Sequence, residues 1–264
     1  MTLQQPFATR VEDLQLRGSR YVPTGEGPFP TAVLFHGFGA CRVEVSGAFV
    51  ALARSLAASG IAVVAYDRAG HGESDGVFFD TTVSRDIRHA HAVIGEVARL
   101  DFVDARSLHL VGMSLGAVVA SIVAAESGIP MASLTLWSAA GLFVDEISAG
   151  AIQGRSLATL GTQGYFDFLG MRMGPAMRDD ARTLDLYGRV AAYAGPALIM
   201  HGDADFVPVR YAERFRDAYG RAATLEVVAG ADHGWAQVPH RELVISRTVE
   251  FIKAHSRNRE PSTP

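Results

Sequence analysis

Short, almost wholly apolar runs alternate along this chain with longer segments of helical periodicity, and few architectures satisfy that rhythm. "TAVLF" from Thr31 precedes "VSGAFVALARSLAAS", "IAVVAYD" from Ile61 precedes "TVSRDIRHAHAVIGEVARL", and "SLHLVG" from Ser107 precedes "LGAVVASIVAAES". "ASLTLWSA", "PALIMHG" and "ATLEVVAG" continue the series, and "HRELVISRTVEFIKAH" closes it as an amphipathic helix. A strand apolar on both faces must be covered on both faces, and helices between such strands return the chain in the same direction. The expected fold is α/β, a mostly parallel twisted sheet with helices on both faces. Near the start, "TRVEDLQLRGSRYVP" alternates apolar and polar residues around turn formers, so it predicts an antiparallel edge hairpin.

The rhythm breaks between Leu142 and Ala192, where glycine, methionine and aromatic residues crowd a segment too long to be a plain loop. Open parallel sheets bind ligands at the carboxyl ends of their strands, so this segment is expected to be a cap inserted there. The resulting division is a core in two parts, 1–141 and 193–256, a cap or lid at 142–192, and a flexible tail at 257–264. A chain of 264 residues with 48% hydrophobic content is long enough for one sizeable core.

Composition excludes several classes. The net charge of −4 is small and the arginines are scattered, so no nucleic-acid partner is expected. Cys41 is the only cysteine, which rules out an intrachain disulfide and multi-cysteine metal sites. Neither H-E-x-x-H, a P-loop nor G-x-G-x-x-G is present, so no metal and no cofactor is expected. The apolar stretch Leu110–Ala125 is interrupted by Gly112, Ser114, Gly116 and Ser121 and falls short of about 18 uninterrupted apolar residues. No membrane partner, no signal peptide and a cytoplasmic location are therefore expected. The sequence also leaves room for a homodimer.

That apolar stretch, "LHLVGMSLGAVVA", reads as a strand, then G-x-S-x-G, then a helix, which is the context a nucleophile elbow requires. So abrupt a turn strains Ser114, while Gly112 and Gly116 remove side chains that would collide across it. The hydroxyl is lifted above the sheet beside a helix N-terminus, whose free N–H groups suit a developing anion. A serine is a weak nucleophile unless a base takes its proton and a third group orients that base. Downstream, "HGDADFVP" ends a strand with two carboxylates, Asp203 and Asp205, and "GADHGW" ends another with His233. The chain order is serine, aspartate, histidine. His36 and His201, at strand ends before glycines, are expected to bond neighbouring backbone. His89, His91, His240 and His255 fall on predicted helices and are expected to be solvated; Asp67 and Arg68 are expected to serve the scaffold.

Taken together, "HGFG", "YDRAGHGESDG", "GMSLG", "HGDADFVP" and "GADHGW" resemble the α/β-hydrolase superfamily in order and spacing, from about Val11 to Ile252. The resemblance implies a serine hydrolase with Asp205 as the acid, His233 as the base, and an oxyanion hole formed by the backbone N–H groups of Phe38 and Leu115. More narrowly, "DRAGHGESDGVFFDTTVSRDIRHAHAVI" and the cap start "LFVDEISAGAIQG" are similar to the cinnamoyl and feruloyl esterase branch. The chain departs from that branch at Met113 and Leu115, where "HSQG" is common, and at "HGFGACR". The branch implies substrate contacts from cap residues Asp145 and Gln153, to which Trp235 beside the base is added. Phe143, Tyr165, Phe166, Phe168, Leu169, Met171, Met173 and Met177 are available for an apolar pocket, although half or more are expected to form the cap's own core. The expected activity is hydrolysis of a small carboxylic ester through an acyl-enzyme. A thioesterase, an acyltransferase or a small-peptide hydrolase would use the same triad, and a ligand-binding protein without turnover would share the fold.

Overall fold

The computed structural model describes residues 4–256; the tail expected at 257–264 lies outside them. The chain opens with a hairpin of β1 (Gln4–Val11) and β2 (Leu14–Tyr21), paired antiparallel in full register. Then follow β3 (Phe29–Phe35), α1 (Ala48–Ala58), β4 (Ala62–Tyr66), α2 (Val83–Val97), β5 (Val103–Met113), α3 (Leu115–Glu126) and β6 (Met131–Trp137). Short pieces succeed them: α4 (Leu142–Ser148), β7 (Ala151–Ile152), β8 (Arg155–Ser156), α5 (Thr159–Thr162), β9 (Phe166–Phe168), β10 (Met171–Met173), α6 (Pro175–Ala181) and α7 (Leu186–Val190). The core resumes with β11 (Ala197–Gly202), α8 (Val209–Tyr219), β12 (Ala223–Val228) and α9 (Val238–His255). Eight strands form one sheet in the order β1-β2-β4-β3-β5-β6-β11-β12, antiparallel only at the β1-β2-β4 edge.

The central strands read as unbroken apolar runs because both faces are covered. On one face Val33, Phe35, Val64 and Leu110 pack with the buried stripe of α2 (Ile87, Ala90, Ile94) and with α3. On the other, Leu34, Val63, Val111 and Met200 meet Phe49, Leu52 and Leu56 of α1, with Val244 and Ile252 of α9. Helix α3 is apolar all round because it is buried all round from Leu115 to Val123. Thr82 caps α2 by accepting from the Arg85 N–H. The cap segment does not form a separate core: Phe143, Ile147, Phe168, Met173 and Met177 join the cluster on the α2 and α3 face. Among the described residues no helix is long and apolar enough to cross a membrane.

His89 corrects the expectation of a solvated histidine. It is buried on α2 with Nε2 3.4 Å from the Glu12 carboxylate. His109 on β5 is buried as well, hydrogen-bonded to Ser133 Oγ at 2.8 Å and Ser256 Oγ at 3.2 Å, and burial pushes its pKa down to about 3. A neutral buried histidine makes stability fall as pH drops, because the unfolded chain takes up a proton that the folded one refuses. The loss runs from the ordinary value near 6.5 down towards 3, at about 1.4 kcal/mol per pH unit within that window. His109→Gln is therefore expected to flatten the decline of unfolding free energy between pH 6 and pH 4, read from urea melts in that range. Equal slopes in variant and wild type would remove His109 from the account.

Candidate active site

Ser114 stands between β5 and α3 at φ 55°, ψ −120°, a conformation that costs a residue with a side chain about 1–3 kcal/mol. The turn is held because nothing larger than glycine fits on either side. A Cβ on Gly112 would lie 2.4 Å from Ala117 Cα, and one on Gly116 would lie 2.1 Å from the Phe35 carbonyl oxygen. The Ser114 N–H donates to Trp137 O at 3.0 Å and its carbonyl accepts from Ala140 N at 3.2 Å, tying the elbow to the end of β6.

Two other strand ends complete the arrangement. The loop after β11 carries Asp205, whose side chain is fully buried and whose Oδ1 accepts from the Val207 N–H at 2.8 Å. The loop after β12 carries His233. Its Nδ1 lies 2.8 and 3.0 Å from the two Asp205 oxygens, and its Nε2 lies 2.9 Å from Ser114 Oγ. A carboxylate only accepts, so Nδ1 bears the proton and Nε2 is left to accept from the serine hydroxyl. Asp203 instead accepts from the Gly230 N–H at 2.6 Å, joining the two loops as a turn residue. His201 bonds backbone as expected, its Nε2 donating to Val207 O at 2.7 Å.

The N–H groups of Phe38 and Leu115 have no hydrogen-bond partner among the described residues, and both residues border the same cavity as Ser114. The cavity has a volume of about 240 Å³. Phe38 lines it, its ring 5.7 Å from Phe143 and 4.7 Å from Phe168 of the cap. Leu169, 76% exposed at the tip of the β9–β10 hairpin, and Phe206 form its rim. Of the other aromatic and sulfur side chains offered for the pocket, Met173 and Met177 are fully buried in the core cluster and do not line it, and Phe166 is buried under the Arg155 guanidinium.

Gln153 borders the cavity, held there because the Glu146 carboxylate accepts from the Gln153 N–H at 2.6 Å and the Gly154 N–H at 3.0 Å. Asp145 does not. Its Oδ2 accepts from Tyr211 Oη at 2.7 Å and Arg214 Nη1 at 3.1 Å, so this carboxylate ties α4 to α8 instead of facing a ligand. Trp235 is also corrected: 1% exposed, it sinks into the α1 and α9 core and anchors the histidine loop, with Arg241 Nε donating to its carbonyl at 3.1 Å.

Among the residues lining the cavity that sequence reasoning passed over are Phe206 and Glu44. Phe206 lies against His233, ring centroids 4.2 Å apart, and could have been noticed as the neighbour of Asp205. Glu44 borders the cavity and accepts from the N–H groups of Gly37 and Val45; burial pushes its carboxyl above the usual range, against the pull of those N–H groups. A lone glutamate in "CRVEVSG" carries no such signal.

With a serine on an elbow, a base and an acid in hydrogen-bonded succession, comparison with known proteins becomes decisive: residues 32–247 match the alpha/beta hydrolase family. The chain belongs to that family. The structure of this alpha/beta hydrolase is similar to that of Est1E from Butyrivibrio proteoclasticus with ferulic acid bound, at 25% identity and TM-score 0.86, covering 94% of this chain and 98% of that one. Alpha/beta hydrolase domain-containing protein 10 from mouse shares the fold at 18% identity and TM-score 0.76, covering 96% and 100%. A monoacylglycerol lipase from Paleococcus ferrophilus does so at 20% identity and TM-score 0.66, covering 97% and 100%. A search of curated proteins finds no match to the sequence.

Proposed function

We propose that this hydrolase is a serine carboxylic-ester hydrolase working through an acyl-enzyme on small aromatic esters of the cinnamoyl or feruloyl type, or on short acyl esters. The observation that carries the reading is the continuous set of hydrogen bonds from Ser114 through His233 to Asp205. Ser114 Oγ attacks the ester carbonyl carbon while His233 Nε2 takes its proton, and Asp205 holds the imidazole and stabilises the imidazolium. The carbonyl oxygen, now negative, accepts from the N–H groups of Phe38 and Leu115. Collapse expels the alcohol, which takes the proton from His233. Water then attacks the acyl-serine with His233 again as base, releasing the acid and restoring Ser114.

The aromatic acyl preference draws its support from the Phe38, Phe143 and Phe168 rings around the cavity and from the likeness to a structure that holds ferulic acid. Of the polar side chains that border the cavity, Gln153 is the one this reading assigns to a ring hydroxyl. We expect Gln153→Leu to lower the ratio of kcat/KM for ethyl ferulate over ethyl cinnamate by about fivefold, the size of one neutral hydrogen bond. Asp145→Ala should leave that ratio within about twofold, since its carboxylate is committed to Tyr211 and Arg214. The panel includes p-nitrophenyl acetate. A wild-type enzyme that hydrolyses none of these esters contradicts the proposal.

A further inference from the structure

Arg68 and Asp86 form an ion pair with each side chain 1% exposed, between the end of β4 and the first turn of α2. Such a pair gains little stability over well-packed apolar side chains, so its presence calls for another reason. A guanidinium has donors pointing in several directions, and Arg68 uses them for different ends. Nη1 donates to Asp86, while Nη2 donates to the carbonyl oxygen of Gly37 at 2.7 Å. The same carbonyl lies 2.9 Å from His36 Nδ1. The Arg68 N–H donates to His36 Nε2 at 3.0 Å, which places the imidazole proton on Nδ1 and makes that contact a second donated bond; the Ala40 N–H adds a longer third one at 3.3 Å.

Gly37 and Phe38 share one trans peptide unit, in which C=O and N–H point in opposite directions. Pulling the Gly37 oxygen towards Arg68 and His36 therefore turns the Phe38 N–H the other way, towards Ser114. The preceding peptide is fixed by Glu44 accepting from the Gly37 N–H, and the following one by His71 Nε2 accepting from the Gly39 N–H at 3.3 Å. A rotated Gly37–Phe38 peptide would present a carbonyl oxygen, not a donor, to the developing negative charge.

We propose that Arg68, braced by Asp86, is a positioning residue of the oxyanion hole, holding the Gly37 carbonyl so that the Phe38 N–H stays aimed at the reacting oxygen. The proposal rests on the reading of Ser114 as an ester nucleophile. Arg68 touches no substrate; it acts through one peptide bond. Its loss should weaken binding of the transition state and leave ground-state binding largely alone.

The test compares wild type with Arg68→Lys, which keeps a buried cation but not the spread of donors, and with the isosteric Asp86→Asn, which removes the charge that braces the guanidinium. Thermal melting first establishes that each variant is folded. Readouts are kcat and KM for p-nitrophenyl acetate and the affinity for an aryl trifluoromethyl ketone, whose adduct with Ser114 places a negative oxygen in the hole. Folded Arg68→Lys is expected to lose kcat by tens to hundreds of fold, bounded by the roughly 10²–10³ of losing an oxyanion donor. KM should stay within about threefold and ketone affinity should fall in parallel with kcat. Asp86→Asn should show the same split at smaller size, and it decides the matter if the lysine variant does not fold. Wild-type kcat and ketone affinity in the folded variant overturn the role of Arg68. A wild-type enzyme that neither hydrolyses the ester nor binds the ketone overturns the ester-hydrolase reading instead.

Discussion

Ser114→Ala is expected to lower kcat by roughly 10⁶-fold and leave the melting temperature unchanged or raised. The size follows from what the side chain does: without Oγ no acyl-enzyme forms, and only a water held near the oxyanion donors can attack. Stability should not suffer, because alanine keeps the Cβ and therefore the same backbone at φ 55° and ψ −120°, and the hydroxyl contributes only one partly buried hydrogen bond, to His233. His233→Ala should cost about as much, and the double variant little more than either alone, because the pair acts as a unit. Additive losses would mean that the two side chains work separately. The readouts are steady-state rates on p-nitrophenyl acetate and thermal melts.

Asp205→Asn is expected to lower kcat by about 10⁴-fold with the fold intact. The carboxamide has nearly the carboxylate's shape, but its NH₂ group would face Nδ1 or displace the contact from Val207. Where the NH₂ group faces Nδ1, the imidazole is driven towards the tautomer with its proton on Nε2, where it cannot accept from Ser114. Asp203→Asn should be nearly silent by comparison, since its oxygen accepts from the Gly230 N–H and does not reach the histidine. If the asparagine at 203 is the damaging one, the assignment of the acid is reversed.

Much of this was legible in the sequence for physical reasons that differ by region. Strands buried on both faces must be apolar throughout, so the parallel core stood out as runs such as "TAVLF" and "PALIMHG". The elbow was legible because its steric demands fall on glycine at fixed offsets from Ser114. Helix α8 was not: five of the eleven residues of "VRYAERFRDAY" are charged, and its buried stripe consists of Tyr211, Ala212, Phe215 and Tyr219, two of which carry hydroxyls. The misplacement of Asp145 follows directly, since the partner that turns its carboxylate away from the cavity is Tyr211 on that helix. In the cap, strands of two or three residues have no periodicity to read, and tertiary contacts such as Phe38 with Phe168 decide their path. Trp235 misled for a related reason. Its place beside the base suggested the pocket, but its size is used to anchor the loop in the core.

The central claim, an ester hydrolysed through an acyl group on Ser114, is most directly tested by intact-protein mass spectrometry of enzyme acid-quenched during turnover of p-nitrophenyl acetate. The account predicts a population heavier by one acetyl group, localised by peptide mapping to the segment containing Ser114 and missing from Ser114→Ala. Turnover without any adduct, or an adduct that persists in Ser114→Ala, would contradict it.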